Sequence, residues 1–85
     1  MNNEVVVMKM IGIGYGNFIA AEKVVAVVSA NSKPIKYMIR EARQQNVLID
    51  ATVGKRTRSA VVMANGQVVL SANAVKTILQ RIEKN

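Results

Sequence analysis

Residues 47–71 read VLIDATVGKRTRSAVVMANGQVVLS, and the three short apolar runs in this stretch decide the fold. Val47–Thr52, Thr57–Ala64 and Gln67–Ser71 are rich in β-branched residues and bounded by turn formers, which is the pattern of strands. Asn65-Gly66 joins the last two runs. Both residues tolerate positive φ, so the pair predicts a hairpin closed by a type I′ turn. Val53-Gly54-Lys55-Arg56 makes a tight connection between the first two runs. Consecutive strands joined so closely predict a mostly antiparallel sheet.

On the N-terminal side, Val5–Ile11 reads as a strand with Lys9 as its only charge. Gly12, Gly14 and Gly16 mark a turn or bulge, and Phe18–Ala21 resumes an extended path. Lys23–Ser29 is a further strand. Its continuous apolar run, carrying Val24, Val25, Val27 and Val28, implies burial on both faces. Ser32 is suited to cap a helix, with Pro34 in the first turn. Ile35, Met38, Ile39 and Ala42 then recur at helical spacing, to an end near Asn46. Lys36, Arg40 and Arg43 fall on a different face of that helix as a basic stripe, available for additional phosphate contacts. On the C-terminal side, Asn73 is positioned to cap a second helix with Val75, Ile78, Leu79 and Ile82 on its apolar face. The expectation is a single α+β domain over residues 1–85: a small, mostly antiparallel sheet covered by two helices.

The chain has 85 residues, and 51% of them are hydrophobic. A domain this short buries a modest share of its surface and usually needs a staple. With no Cys and no His, disulfides and the usual zinc sites are excluded. Oligomerisation is the staple left, and the aliphatic excess suits burial between subunits. Twelve Lys and Arg against five Asp and Glu leave a net charge of +7, which attracts polyanions. Glu4, Glu22, Glu41, Asp50 and Glu83 are scattered and suit pairing with the bases or, for Asp50, a backbone amide. General acid–base work most often uses His. An enzyme is therefore not expected, nor a cofactor, a metal or a small-molecule substrate. The glycines miss the G-x-G-x-x-G register, since Asn17 or Ile19 stands at the third glycine position, and no Gly-Lys-Ser/Thr loop exists. No run approaches the length of a membrane span and no basic leader opens the chain, so a cytoplasmic, nucleoid-associated protein without membrane contact is expected.

Gly54-Lys55-Arg56-Thr57-Arg58 is the sharpest positive feature. It sets three cations and a hydroxyl at a turn, beside a glycine that lets the backbone bend. Arg grips a phosphate bidentately or reads guanine O6 and N7. In extended backbone Arg56 and Arg58 point to the same side. The bland reading of the cluster is a solvated turn whose charges keep apolar strands from aggregating. Lys23, at the start of its strand, is a candidate to join the patch. One such patch binds weakly, and repeating it around an oligomer raises the affinity without a new kind of contact.

Four motifs together resemble the RemA-like family of extracellular-matrix (biofilm) gene regulators. They are Ile13-Gly14-Tyr15-Gly16-Asn17; Pro34-Ile35-Lys36 with Met38-Ile39; Leu48-Ile49-Asp50-Ala51-Thr52; and Gly54–Arg58 followed by Val61-Val62-Met63. The resemblance spans nearly the whole chain. It implies a transcriptional regulator that binds double-stranded DNA, a fold related to the LytTR type, and assembly of the homo-oligomer into a ring. By position it places DNA contacts on Lys23, Lys55 and Arg56, and a role in assembly on Pro34. Lys23 and Lys55 stand where the family pattern has Arg. Lys keeps the charge and loses the planar fork, so phosphate contact is expected to outlast base reading there. Two other readings compete: an RNA-binding protein, for which Tyr15, Phe18 and Tyr37 are the only aromatic platforms, and a purely structural ring.

Overall fold

The computed structural model describes residues 8–84. Strands β1 (Met10–Gly12) and β2 (Phe18–Ala20) form an antiparallel hairpin. A 3₁₀ turn at Ala21–Lys23 leads into β3 (Val24–Ser29), helix α1 (Lys33–Gln44) and β4 (Leu48–Asp50). Then come β5 (Ser59–Met63), β6 (Val68–Ser71) and α2 (Val75–Glu83). The strand expected from Val5 is described from Met10 onward; Val5–Val7 lie outside the described residues.

Strands β3, β5, β6 and β4 make a four-stranded sheet in that order. Two of its pairings are antiparallel, and β4 runs parallel to β6. β3 and β4 are therefore parallel outer strands with the β5–β6 hairpin slotted between them, and α1 crosses from one outer strand to the other. Alternation along β5 and β6 sorts the core into two layers. Ala60, Val68 and Leu70 face α1 and meet its Ile35, Met38, Ile39 and Ala42. Val61 and Val69 face the other way, onto Ile11, Ile13 and Ile19 of the hairpin and Ile78 and Ile82 of α2. The two helices thus cover opposite faces, and α2 shares its face with the β1–β2 hairpin. Burying one such aliphatic side chain contributes about 1.5–3 kcal/mol.

Polar side chains, buried and exposed, tie these layers together. Ser59 and Ser71 stand opposite each other at one end of the sheet, both fully buried. The Ser59 hydroxyl donates to the Asn73 carbonyl at 2.7 Å, and the Ser71 hydroxyl donates to the Ile13 carbonyl at 2.7 Å. The Arg81 guanidinium donates to the Gly12 carbonyl and to Asn73 Oδ1, at 2.7 and 2.9 Å. Lys9 Nζ donates to the carbonyls of Ile82 and Lys84, where the negative end of the α2 dipole favours a cation.

Helix α1 starts as expected, with the Ser32 side chain accepting from the Ile35 amide and Pro34 in the first turn. It ends in a Schellman motif. Asn46 adopts φ +59°, the Val47 amide donates to Ala42 and the Asn46 amide to Arg43.

Three expectations are corrected. β3 is an outer strand, not one buried on both faces: Val25, at a register shift, is 67% exposed. A continuous apolar run is read correctly as strand, but it does not separate edge from centre. The β5–β6 hairpin closes through a type I turn over Met63–Gly66 with only Gly66 at positive φ, not through a type I′ turn at Asn65-Gly66. Asn65 instead accepts from the Gln67 amide, at 3.0 Å. Asn73 does not cap α2. Ala74 holds that position, because the Asn73 carboxamide oxygen is taken by Arg81.

Candidate nucleic-acid interface

The type I′ geometry expected at Asn65-Gly66 occurs at the basic turn instead. Val53 and Gly54 both adopt positive φ, +53° and +76°, and the Lys55 amide donates to the Thr52 carbonyl at 2.9 Å. Left-handed backbone costs an L-residue roughly 1–2 kcal/mol, and a β-branched one has least freedom to adopt it. Asp50 secures the turn from the strand side. Its Oδ1 accepts from the Thr52 hydroxyl at 2.6 Å and from the Thr52 amide at 2.9 Å. These bonds, the hydroxyl first, hold the Asp50 carboxyl below its ordinary pKa, with the Arg43 charge adding to them. The turn is thereby held in an outward projection: Lys55, Arg56 and Arg58 are exposed, and Val53 is 65% exposed.

Topology gathers charge around this turn. β3, β4 and β6 all end on the same side of the sheet, and β5 begins there. Because α1 follows β3 and α2 follows β6, both helices also begin there, and neither has an acid in its first turn. The exposed cations at this end are Lys33, Lys36, Lys55, Arg56, Arg58 and Lys76. Among the described residues, Glu22 sits in the 3₁₀ turn that precedes β3 at its far end, and Glu41 and Glu83 lie in the C-terminal halves of α1 and α2. Asp50 is at the basic end and is occupied by Thr52.

Arg56 and Arg58 line one cleft of about 380 Å³. Its other walls are Ser29 and Asn31 after β3, and Ala74, Val75 and Lys76 at the start of α2. Lys76 was not singled out by sequence because it lies far along the chain from the basic turn. One signal was present: a cation in the first turn of a helix opposes the helix dipole. Lys55 is beside the cleft in sequence but does not line it.

Lys23 is placed elsewhere. It precedes β3 at the far end of the strand, where its carbonyl accepts from the Ala64 amide. With Ala20, Met63 and Gln67 it lines a second hollow of about 450 Å³. Six residues of strand separate it from the basic end, about 20 Å at strand spacing. A single chain therefore does not bring Lys23 to Arg56 and Arg58. The stripe on α1 is exposed, with Lys36 in the first turn and Arg40 and Arg43 one and two turns further from the basic end. Pro34 is exposed at the start of the same helix. Tyr15 and Phe18 lie on the β1–β2 hairpin and Tyr37 on α1, across the sheet from each other, so the three aromatics make no common stacking platform. Among the described residues, no helix is long and apolar enough to cross a membrane.

Comparison with known proteins gives one consistent result. The family described as extracellular matrix regulatory protein A-like, or RemA-like, matches residues 10–82. Proteins of Bacillus cytotoxicus, Bacillus mycoides and Bacillus cereus, each named "putative regulatory protein", are 47% identical over 75 residues, which is 88% of this chain and 86% of theirs.

Proposed function

The chain belongs to the RemA-like family, and from that premise we propose that it is a transcriptional regulator that binds double-stranded DNA through its basic end. A regulatory role is what the family description and the relatives' names support. The observation that carries the DNA reading is the local excess of positive charge at one end. Six exposed cations and the positive ends of two helices stand there, around the turn that Asp50 ties, and Asp50 is the one carboxylate there among the described residues. Such a surface neutralises backbone phosphates.

The working unit in this proposal is a homo-oligomeric ring that repeats the basic end. Two features support assembly. β3 and β4 leave both edges of the four-stranded sheet open among the described residues. Met10, Phe18 and Leu79 on one side, and Ile49 and Val53 beside β4, are large apolar side chains left exposed. Lys23 then meets DNA from the far end of its own subunit, at a different phosphate from those held by Lys55 and Arg56. Control of extracellular-matrix genes is the regulatory role that the family description suggests.

The test is a gel shift with light scattering. Lys55→Ala combined with Arg56→Ala is expected to abolish retardation of duplex DNA while the oligomer stays intact. Wild-type affinity should fall roughly 10³-fold or more as salt rises from about 50 to about 200 mM, if at least about six phosphates are neutralised per particle. Unchanged affinity in the double variant rejects the site, and a flat salt response rejects backbone binding.

A further inference from the structure

We infer that the cleft between Arg56, Arg58 and the start of α2 is a phosphate-binding site in which Lys76 is a third binding residue. The DNA reading above supplies the phosphate, from the duplex backbone; the site itself rests on the side chains that line the cleft. Two elements far apart in the chain deliver like charges into one concave space, and no acid lines it. Like charges held together repel unless an anion sits between them. The donor set suits a tetrahedral oxyanion. Two guanidinium forks can each take two oxygens, and the Lys76 ammonium adds a compact charge with freely rotating donors.

The neutral walls fit the same ligand. The Ser29 oxygen accepts from the Asn31 amide, so its hydroxyl hydrogen points elsewhere and is available to the cleft. The N-cap of α2 is Ala74, whose side chain accepts nothing from the first amides of the helix. That helix end adds to the cations and does not carry the site alone. The volume, about 380 Å³, exceeds a bare phosphate and leaves room for the sugar carbons on either side of a phosphodiester. The wall containing Lys76 is also held in place. The buried Ser59 hydroxyl fixes the Asn73 carbonyl, and Arg81 fixes the Asn73 side chain, one residue before the Ala74 that opens the helix.

The experiment is an NMR titration of the whole isotope-labelled chain with inorganic pyrophosphate, followed by addition of a short DNA duplex. Pyrophosphate is expected to shift the Val75 and Lys76 amides and the Arg56 and Arg58 side-chain signals. Lys76→Gln is expected to weaken it roughly tenfold, the usual scale for a charge-assisted hydrogen bond. Lys84→Gln, at the far end of α2, removes the same charge and is expected to leave binding unchanged. The duplex should displace pyrophosphate, and Lys76→Gln should lower the salt slope of duplex binding by about one for each cleft engaged. No shift at the cleft, or equal losses in Lys76→Gln and Lys84→Gln, overturns the site even if the duplex binds. If pyrophosphate binds through Lys76 but the duplex neither binds nor displaces it, the site stands with a free phosphate compound as its ligand, and the DNA reading falls.

Discussion

β5 is bracketed by two turns that solve the same geometric problem differently. At its far end, Met63–Gly66 uses a glycine for its one left-handed residue, and the Asn65 side chain satisfies the Gln67 amide. Before its near end, Thr52–Lys55 puts a valine in the left-handed region and needs Asp50 to hold it. The first turn agrees with its local preferences. The second departs from them, and it is the one that projects Lys55, Arg56 and Arg58. Backbone strain tends to collect where a chain presents functional groups, because the surroundings must over-determine the conformation.

The two turns differ most in what alanine does at their glycines. Gly54 and Gly66 both have positive φ, and a Cβ added at either would meet open space, so alanine tests the backbone alone. Gly54→Ala and Gly66→Ala are each expected to lose about 1–2 kcal/mol in chemical denaturation. Gly54→Ala alone should also weaken DNA binding, since only that turn carries the cations. Equal loss of DNA binding in both variants would remove the distinction between the turns.

Val53 gives a smaller effect of opposite sign. Asn tolerates the left-handed region, so Val53→Asn is expected to stabilise the fold by about 1 kcal/mol, read as a rise of about 4–8 °C in Tm. A decrease would mean that the exposed Val53 side chain contributes more through contacts than its backbone costs.

The smallest effect is pH-dependent. The folded Asp50 carboxyl lies below its ordinary value, so its contribution is present above the unfolded pKa and disappears as pH falls through the folded one. Asp50→Asn is expected to cost about 0.5 kcal/mol at neutral pH, reduced by solvent screening, and the gap from wild type should close in acid. Denaturation curves across the acid range check this; a gap that persists unchanged in acid would separate the turn from the Asp50 charge.

The strands and both helices could be read from sequence because period-2 and period-3.6 apolar patterns are local. What escaped was set by tertiary pairing. The valines of β3 carry no mark that says outer strand. Asn65-Gly66 advertises the type I′ turn that occurs at Val53-Gly54, where valine hides it. Asn73 has the chemistry of a cap, but Arg81, a helix away in sequence, claims its oxygen. The basic turn was visible as a run of charges. Lys76 was not, because only the fold brings the start of α2 beside Arg56 and Arg58.

The clasp from Lys9 to the carbonyls of Ile82 and Lys84 has a practical consequence for handling the molecule. It holds the first described strand against the last turn of α2, away from the end where the helices begin. A dye or sensor-surface tether carried on the exposed side chain of Lys84 therefore sits at the opposite end from Lys55, Arg56 and Arg58, and leaves the basic end facing outward.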